Sequence, residues 1–468
     1  MNARIVRTSL RRRLAIPFVF SLLSTLGARP VPASSDAIVH ALNEAEAPVA
    51  APVAGPLADL AFKALWNYPE SAELAIRALR AAGPAGIDAL LAAKRTRGDR
   101  AIGDEEFGRV LDKVCAQRDC AASHLYWYTD LGAARAEARA SGKPILSLRL
   151  LGRLDEDFSC ANSRFFRTVL YADPAISRLL REKFILHWQS VRPVPRITID
   201  MGDGRSLSGT ITGNSIHYVL DSRGRLLDAL PGLVGPAAFL RDLTDLEGVA
   251  QAADGLDDEA LVRVSGLRHE EEVLRLTGIL GTDLDRYAAW SKAPAERRRV
   301  KTGAPVPAKL ANEPPTAADA SMLAMTKGGV EVRFLNVLFP PTPGAQWGAG
   351  IPWVGVASYH RADWQLDDAA RERLRTKMGL GAGPEADRMA TNFENLLSLD
   401  TVRNELGLRA VLHDWFASET RTVDLDAFNE RVYAELFLTP STDPWLGLNP
   451  DDVFTGLSPR MAVTGEGR

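Results

Sequence analysis

The residues best placed to do chemistry surround Cys160, in the run Ser159-Cys160-Ala161-Asn162-Ser163. Only the thiolate is a nucleophile. A cysteine that opens a helix meets the positive end of the helix dipole and unpaired backbone N–H groups, both of which favour the thiolate. Arg164 and Arg167 follow within a turn or two, and Arg153 stands in the preceding loop, so three cations are placed to strengthen that field. Ser163 occupies the position three residues on, where a second thiol would resolve a mixed disulfide. A hydroxyl cannot form that bond. The expected chemistry is that of one thiol, attacking a disulfide or carrying a small thiol cap, with an external thiol needed for release. Against this stands simple packing, since a free cysteine behaves as a small hydrophobe and is among the most buried residue types.

The elements that must position Cys160 are legible around it. Residues 131–141 are alanine-rich with charges on one side, a helix that Gly142-Lys143-Pro144 terminates. Residues 144–151 are mostly apolar and short enough to be a sheet strand, and 152–159 form a polar loop. From Cys160 onward Phe165, Phe166, Val169 and Leu170 recur at helical spacing, so the cysteine starts a helix. Asp173 and Pro174 are the N-cap and first residue of a second helix, which feeds a strand at 184–188. Residues 216–221 and 226–230 flank Ser222-Arg223-Gly224-Arg225 as a hairpin, and a last helix covers 236–243. His187 and His217 fall on neighbouring strand segments near the thiol and read as filler of core or surface.

This order, with Trp127 ahead of the alanine-rich helix, Gly142-Lys143-Pro144, the strand at 145–151, Cys160, Asp173-Pro174 and a hairpin carrying Asp221, Gly224 and Gly232, resembles the exported branch of the thioredoxin-like superfamily. It spans residues 125–243, about 120 residues, or a quarter of the chain. The resemblance implies a mixed sheet flanked by helices, with Cys160 and Ser163 at the catalytic pair of positions. The family's cis-proline loop, which faces the thiol, aligns with Gly213-Asn214-Ser215, making Asn214 and Ser215 the implied substrate-contact residues. Ser163 replaces the second cysteine of Cys-x-x-Cys, Ser159 the preceding tryptophan, and the Ser215 region the proline. The implied function is extracytoplasmic thiol–disulfide exchange by a single thiol on a protein thiol or disulfide substrate. The alternative is a redox-silent scaffold of the same fold that binds a protein partner.

Compartment follows from the start of the chain. Arginines 4, 7, 11, 12 and 13 precede an apolar run at 14–26, and Val31-Pro32-Ala33 supplies small residues at a cleavage position, which together read as a signal peptide for a periplasmic or secreted protein. That run is too short for a stable membrane span. The whole chain carries 56 Lys and Arg against 59 Asp and Glu; without residues 1–33, which hold six arginines and no acid, 50 face 59, a net charge of −9. Such a balance argues against a nucleic-acid partner. Three cysteines in an oxidising compartment leave at least one unpaired or bonded to another chain. Cys115 and Cys120 are disulfide candidates if the chain breaks near Arg118-Asp119, which leaves Cys160 free. A Cys120–Cys160 bond would make Cys160 structural, and spacing alone does not choose between them.

The expected fold class is α/β, a central thioredoxin-like domain with helical flanks. Residues 1–33 are the signal peptide and 34–56 an Ala/Pro-rich linker. An N-terminal helical segment occupies 57–122, with helices at 57–66, 71–82 (capped by Ser71) and 84–94, and the thioredoxin-like domain 123–245. A charged helical segment fills 246–300, where Arg268 to Glu272 read as an exposed face rather than a metal site. A Pro-rich linker at 301–316 leads to a mainly helical C-terminal domain at 317–450, with a strand at 329–339 and helices at 367–378, 386–396, 400–417 and 424–437; a polar tail follows at 451–468. There is no His-Glu-x-x-His, phosphate-binding loop or nucleophile elbow, so neither a metal site nor a cofactor is expected.

Overall fold

Aspartate caps and left-handed stops set the helix limits around the central strands. Asp130 Oδ1 accepts from the Ala133 amide at 2.7 Å, and Gly142, at a φ of 71°, closes the helix. Asp173 accepts from the Ala175 and Ile176 amides with Pro174 at the first helical position, the N-terminal arrangement that satisfies otherwise orphaned donors. The computed structural model describes residues 55–65, 69–97, 103–200, 202–211, 213–292, 350–444 and 446. The signal peptide, nearly all of the 34–56 linker, the 301–316 linker, the 329–339 strand and the 451–468 tail lie outside them.

Among the described residues four helices come first: α1 (Pro56–Ala64), α2 (Pro69–Ala81), α3 (Pro84–Arg97) and α4 (Asp104–Cys115). The second starts at Pro69, suited by its fixed φ to a first helical turn, so Ser71 lies inside the helix rather than at its cap. Together they bury a cluster of their own that includes Leu79, Leu90, Leu111 and Val114. Helix α4 stops where Ala116 turns left-handed, and Asp119 is left-handed too; this reversal brings Cys115 and Cys120 into a disulfide with Cα atoms 6.3 Å apart.

The central part runs β1 (Trp127–Tyr128), α5 (Leu131–Ser141), β2 (Ile145–Leu151), α6 (Ala161–Phe165), α7 (Pro174–Lys183), β3 (Ile185–Arg192), β4 (Arg196–Asp200), β5 (Ser206–Thr210), β6 (Ser215–Leu220), β7 (Leu226–Pro231) and α8 (Pro236–Ala253). Helix α6 continues as a π-helical turn, Phe166–Leu170. Five strands form one mixed sheet in the order β1-β3-β2-β6-β7; β1 and β2 run parallel to β3, and β6 runs antiparallel to β2 and β7. The separate hairpin β4–β5, which the sequence reading omitted, is inserted between β3 and β6.

The rest of the described chain is helical. Helix α9 (Asp258–Ser291) is followed, beyond the undescribed stretch, by α10 (Trp353–Ala357), α11 (Arg361–Trp364), α12 (Asp368–Lys377), α13 (Pro384–Arg403), α14 (Arg409–Ala417) and α15 (Leu425–Arg431). π-Helical turns at Asn404–Leu408 and Val432–Leu436 extend α13 and α15. These helices do not pack apart from the sheet. One hydrophobic cluster holds Ile145, Leu148, Phe166, Tyr218 and Phe239 together with Leu397, Leu412, Phe428, Tyr433 and Phe437. Buried polar contacts tie the two parts further: Asn404 Nδ2 donates to Leu233 O at 2.7 Å, Thr401 Oγ1 accepts from the Gly235 amide at 2.9 Å, and Arg409 of α14 pairs with Asp242 of α8 at 2.7 Å. Among the described residues no helix is long and apolar enough to cross a membrane.

Candidate functional site

Cys160 is the N-cap of α6, directly after the loop that leaves β2, and it is the free cysteine. Its side chain is fully buried. Sγ lies 3.2 Å from the hydroxyl of Ser215, the first residue of β6. Ser163 is buried as well, and its hydroxyl donates to the Cys160 carbonyl at 2.9 Å, so it closes the first turn of the helix. The loop before β6 faces the thiol at close range. Gly213 has a φ of 99°, and a Cβ there would sit 3.3 Å from Cys160 Cβ and 3.2 Å from Leu151 Cβ, so glycine suits both the backbone and the gap.

The cations are placed less simply than their spacing suggested. Arg167 is buried, donates to the carbonyls of Leu154 and Glu156, and pairs with Asp119 at 3.5 Å; it ties the loop to the end of the N-terminal helices. Arg164 donates to Thr210 Oγ1 at 3.1 Å, linking α6 to the inserted hairpin. Arg153 is turned to solvent, pairs with Asp155 and Glu156, and lies over the Trp188 ring.

His187 and His217 do not face each other. Strand β2 runs between their strands, and register sets them on opposite faces of the sheet: His187 is level with Ser147, whose other neighbour is Tyr218, while His217 is level with Leu148. His187 Nδ1 bonds the Ser147 hydroxyl at 2.8 Å, and His217 Nε2 bonds the Tyr171 hydroxyl at 2.6 Å between Phe166 and Phe239. Burial pushes both imidazole pKa values down to about 3, so both rings are neutral at ordinary pH.

What the sequence did not reveal is the cover. Tyr433, fully buried in the π-helical turn after α15, donates its hydroxyl to Asn214 O at 2.9 Å, directly on the loop that faces Cys160. Asn214 and Ser215 are themselves buried. On the sheet face that carries Ser147, Arg149 pairs with Asp426 at 3.0 Å, Tyr218 donates to Asn429 Oδ1 at 3.2 Å, and its ring meets Phe428. Arg192 at the end of β3 donates to the carbonyls of Thr439 and Asp443. Of the positions implied for substrate contact, Asn214 is covered by Tyr433 from the C-terminal helices and Ser215 is turned to Cys160.

No family model, no curated protein and no solved structure matches this chain.

Proposed function

We propose that the chain carries a thioredoxin-like domain that serves as a redox-silent scaffold for a protein partner, in a protein exported to the periplasm or beyond. In support of the fold stand a parallel crossover from β2 to β3, an antiparallel hairpin β6–β7 on the other side of β2, and a cysteine at the helix start after that central strand. The disulfide between Cys115 and Cys120 agrees with an oxidising compartment, where such bonds persist.

The observation that carries the functional reading is the bond from Tyr433 to the Asn214 carbonyl above a fully buried Cys160. Exchange needs a disulfide sulfur to reach the thiolate along its axis, and then a second thiol to release the product. Here the entry is filled by the chain itself, and the position of the resolving thiol holds a serine bonded to backbone. A scaffold needs only surface. Val264, Leu267 and Leu274 are exposed along α9, and their spacing puts them on one side of that helix, which favours a protein as what is bound.

The test is insulin-disulfide reduction with dithiothreitol, using the native chain and Ser163→Cys. A scaffold with a filled groove shows no turnover in either. Turnover by Ser163→Cys would mean that substrate reaches Cys160 in the folded protein, and the exchange reading would replace this one.

A further inference from the structure

Outside the Cys160 region, three chemically competent residues converge from distant parts of the chain. Asp228 comes from β7, His269 from α9 and His413 from α14; all three are buried, and one potential ligand atom from each lies within 4.8 Å of the others. The short-range reading placed Arg268 to Glu272 on an exposed face. His269 is instead fully buried, because α9 packs its inner side against α14 and β7.

Hydrogen bonding fixes the tautomer of His269 and narrows His413 to two states. His269 Nε2 sits 3.0 Å from Leu227 O, and a carbonyl only accepts, so Nε2 carries the proton. In the neutral ring Nδ1 then holds a bare lone pair, and it points at His413 Nδ1 at 2.7 Å. If His413 carries its proton on Nδ1, the two rings share one hydrogen bond and His413 Nε2 becomes a buried lone pair. If it carries it on Nε2, two bare lone pairs confront each other. Among the described residues His413 Nε2 has no hydrogen-bond partner, so either state leaves this ring's hydrogen bonding incomplete. In the second state a cation between the two Nδ1 atoms would accept both bare lone pairs and so remove the repulsion that disfavours it.

From this geometry we infer that Asp228, His269 and His413 form a binding site for one divalent transition metal of the zinc class, which clamps α9 and α14 to β7. Two imidazoles and a carboxylate are a donor set suited to zinc rather than to calcium or magnesium, which take oxygen ligands. The Nε2–H bond from His269 to a backbone carbonyl is the outer contact that orients ligating histidines. Asp228 is held by the Ala229 amide at 2.7 Å and by Arg268 at 2.6 Å, two of the roughly four acceptor directions a carboxylate offers. Arg268 and Arg409 are nearby cations that oppose a dication. Two nitrogens on one tetrahedral zinc, at about 2.0–2.1 Å each, stand about 3.3 Å apart, so loading asks the rings to separate by well under 1 Å. Glu272, three residues beyond His269 and so on the same side of α9, is the carboxylate whose spacing suits a fourth position.

The experiment uses the tag-free full chain, refolded with chelator or with one equivalent of zinc or cobalt(II), then gel-filtered. The expected result is about one metal per chain, a higher melting temperature with zinc, and at least tenfold weaker retention in His269→Gln and His413→Gln. X-ray absorption of the zinc-loaded native chain needs no variant to fold and should show two imidazole ligands and no sulfur. A native chain that retains no metal and melts at one temperature with or without zinc overturns the inference, leaving an imidazole–imidazole hydrogen bond. Sulfur in the zinc shell, or unchanged retention in both folded variants, overturns it as well.

Discussion

Tyr433 is the side chain on which the closure over Cys160 depends, and its removal has a calculable effect. Its ring is buried against Phe437 at a centroid distance of 5.3 Å, and its hydroxyl bonds Asn214 O. Tyr433→Phe deletes only the bond, worth about 1 kcal/mol net, which raises the population of the open form about fivefold. Tyr433→Ala also removes a buried ring, a loss of about 3–5 kcal/mol, and should expose Cys160 on the order of hundreds to thousands of times more often. The assay is the rate of maleimide attachment to Cys160 under native conditions. Leu79→Ala, in the separate cluster of the N-terminal helices, is the control for general destabilisation. Its effect on labelling should be smaller than that of a Tyr433 variant of equal stability loss. The reasoning is refuted if Tyr433→Ala labels no faster than the native chain, or no faster than a Leu79→Ala chain of matched stability.

Two further outcomes follow from buried charge and burial of imidazole. His217 has a folded pKa of about 3, below its ordinary 6.5, so its contribution to stability is complete above pH 6.5 and is lost as pH falls toward 3, because the unfolded chain takes up the proton first. At pH 5 the loss from this one ring is about 2 kcal/mol, and urea titrations at pH 7 and pH 5 should show His217→Phe losing that much less than the native chain; equal losses would contradict it. Arg409 pairs with Asp242 at 2.7 Å, both nearly fully buried, so Arg409→Met should cost about 3–5 kcal/mol by leaving the buried carboxylates of Asp242 and Glu405 with only the half-exposed Arg241 between them, read as a drop in denaturation midpoint.

Local signals carried much of the central region. Asp130 and Gly142 bound α5, Asp173 and Pro174 start α7, and Ser222 to Arg225 turn the β6–β7 hairpin, because caps and turns are decided by a few neighbouring residues. Cys160 likewise stands at a helix start, as the apolar spacing after it required. The two-residue β1 is too short to show a period; β4 does alternate through Ile197 and Ile199, but its partner β5 is mostly exposed with Leu207 as its one large apolar residue, so the hairpin did not stand out. The expected break between helices at 386–396 and 400–417 is absent because α13 runs unbroken through residues 397–399, and the π-helical turn at Asn404–Leu408 falls inside the second of them.

The site was legible in its residues but not in its surroundings. Cys160, Ser163, Asn214 and Ser215 do come together, yet the contact that covers them joins positions 219 residues apart, and nothing local in Tyr433 announces it. The same holds for Asp228, His269 and His413, which sit on three elements with no shared motif. His187 and His217 depended on sheet order: with β2 between their strands, and the pleat alternating, they were bound to part.

The central claim is that the chain's one free thiol is sealed, and counting alkylated cysteines by mass spectrometry tests it directly. The account predicts no label on the native protein, one after unfolding without reductant, on Cys160, and three after unfolding with reductant. Native labelling of Cys160 at the rate of the unfolded chain would contradict it.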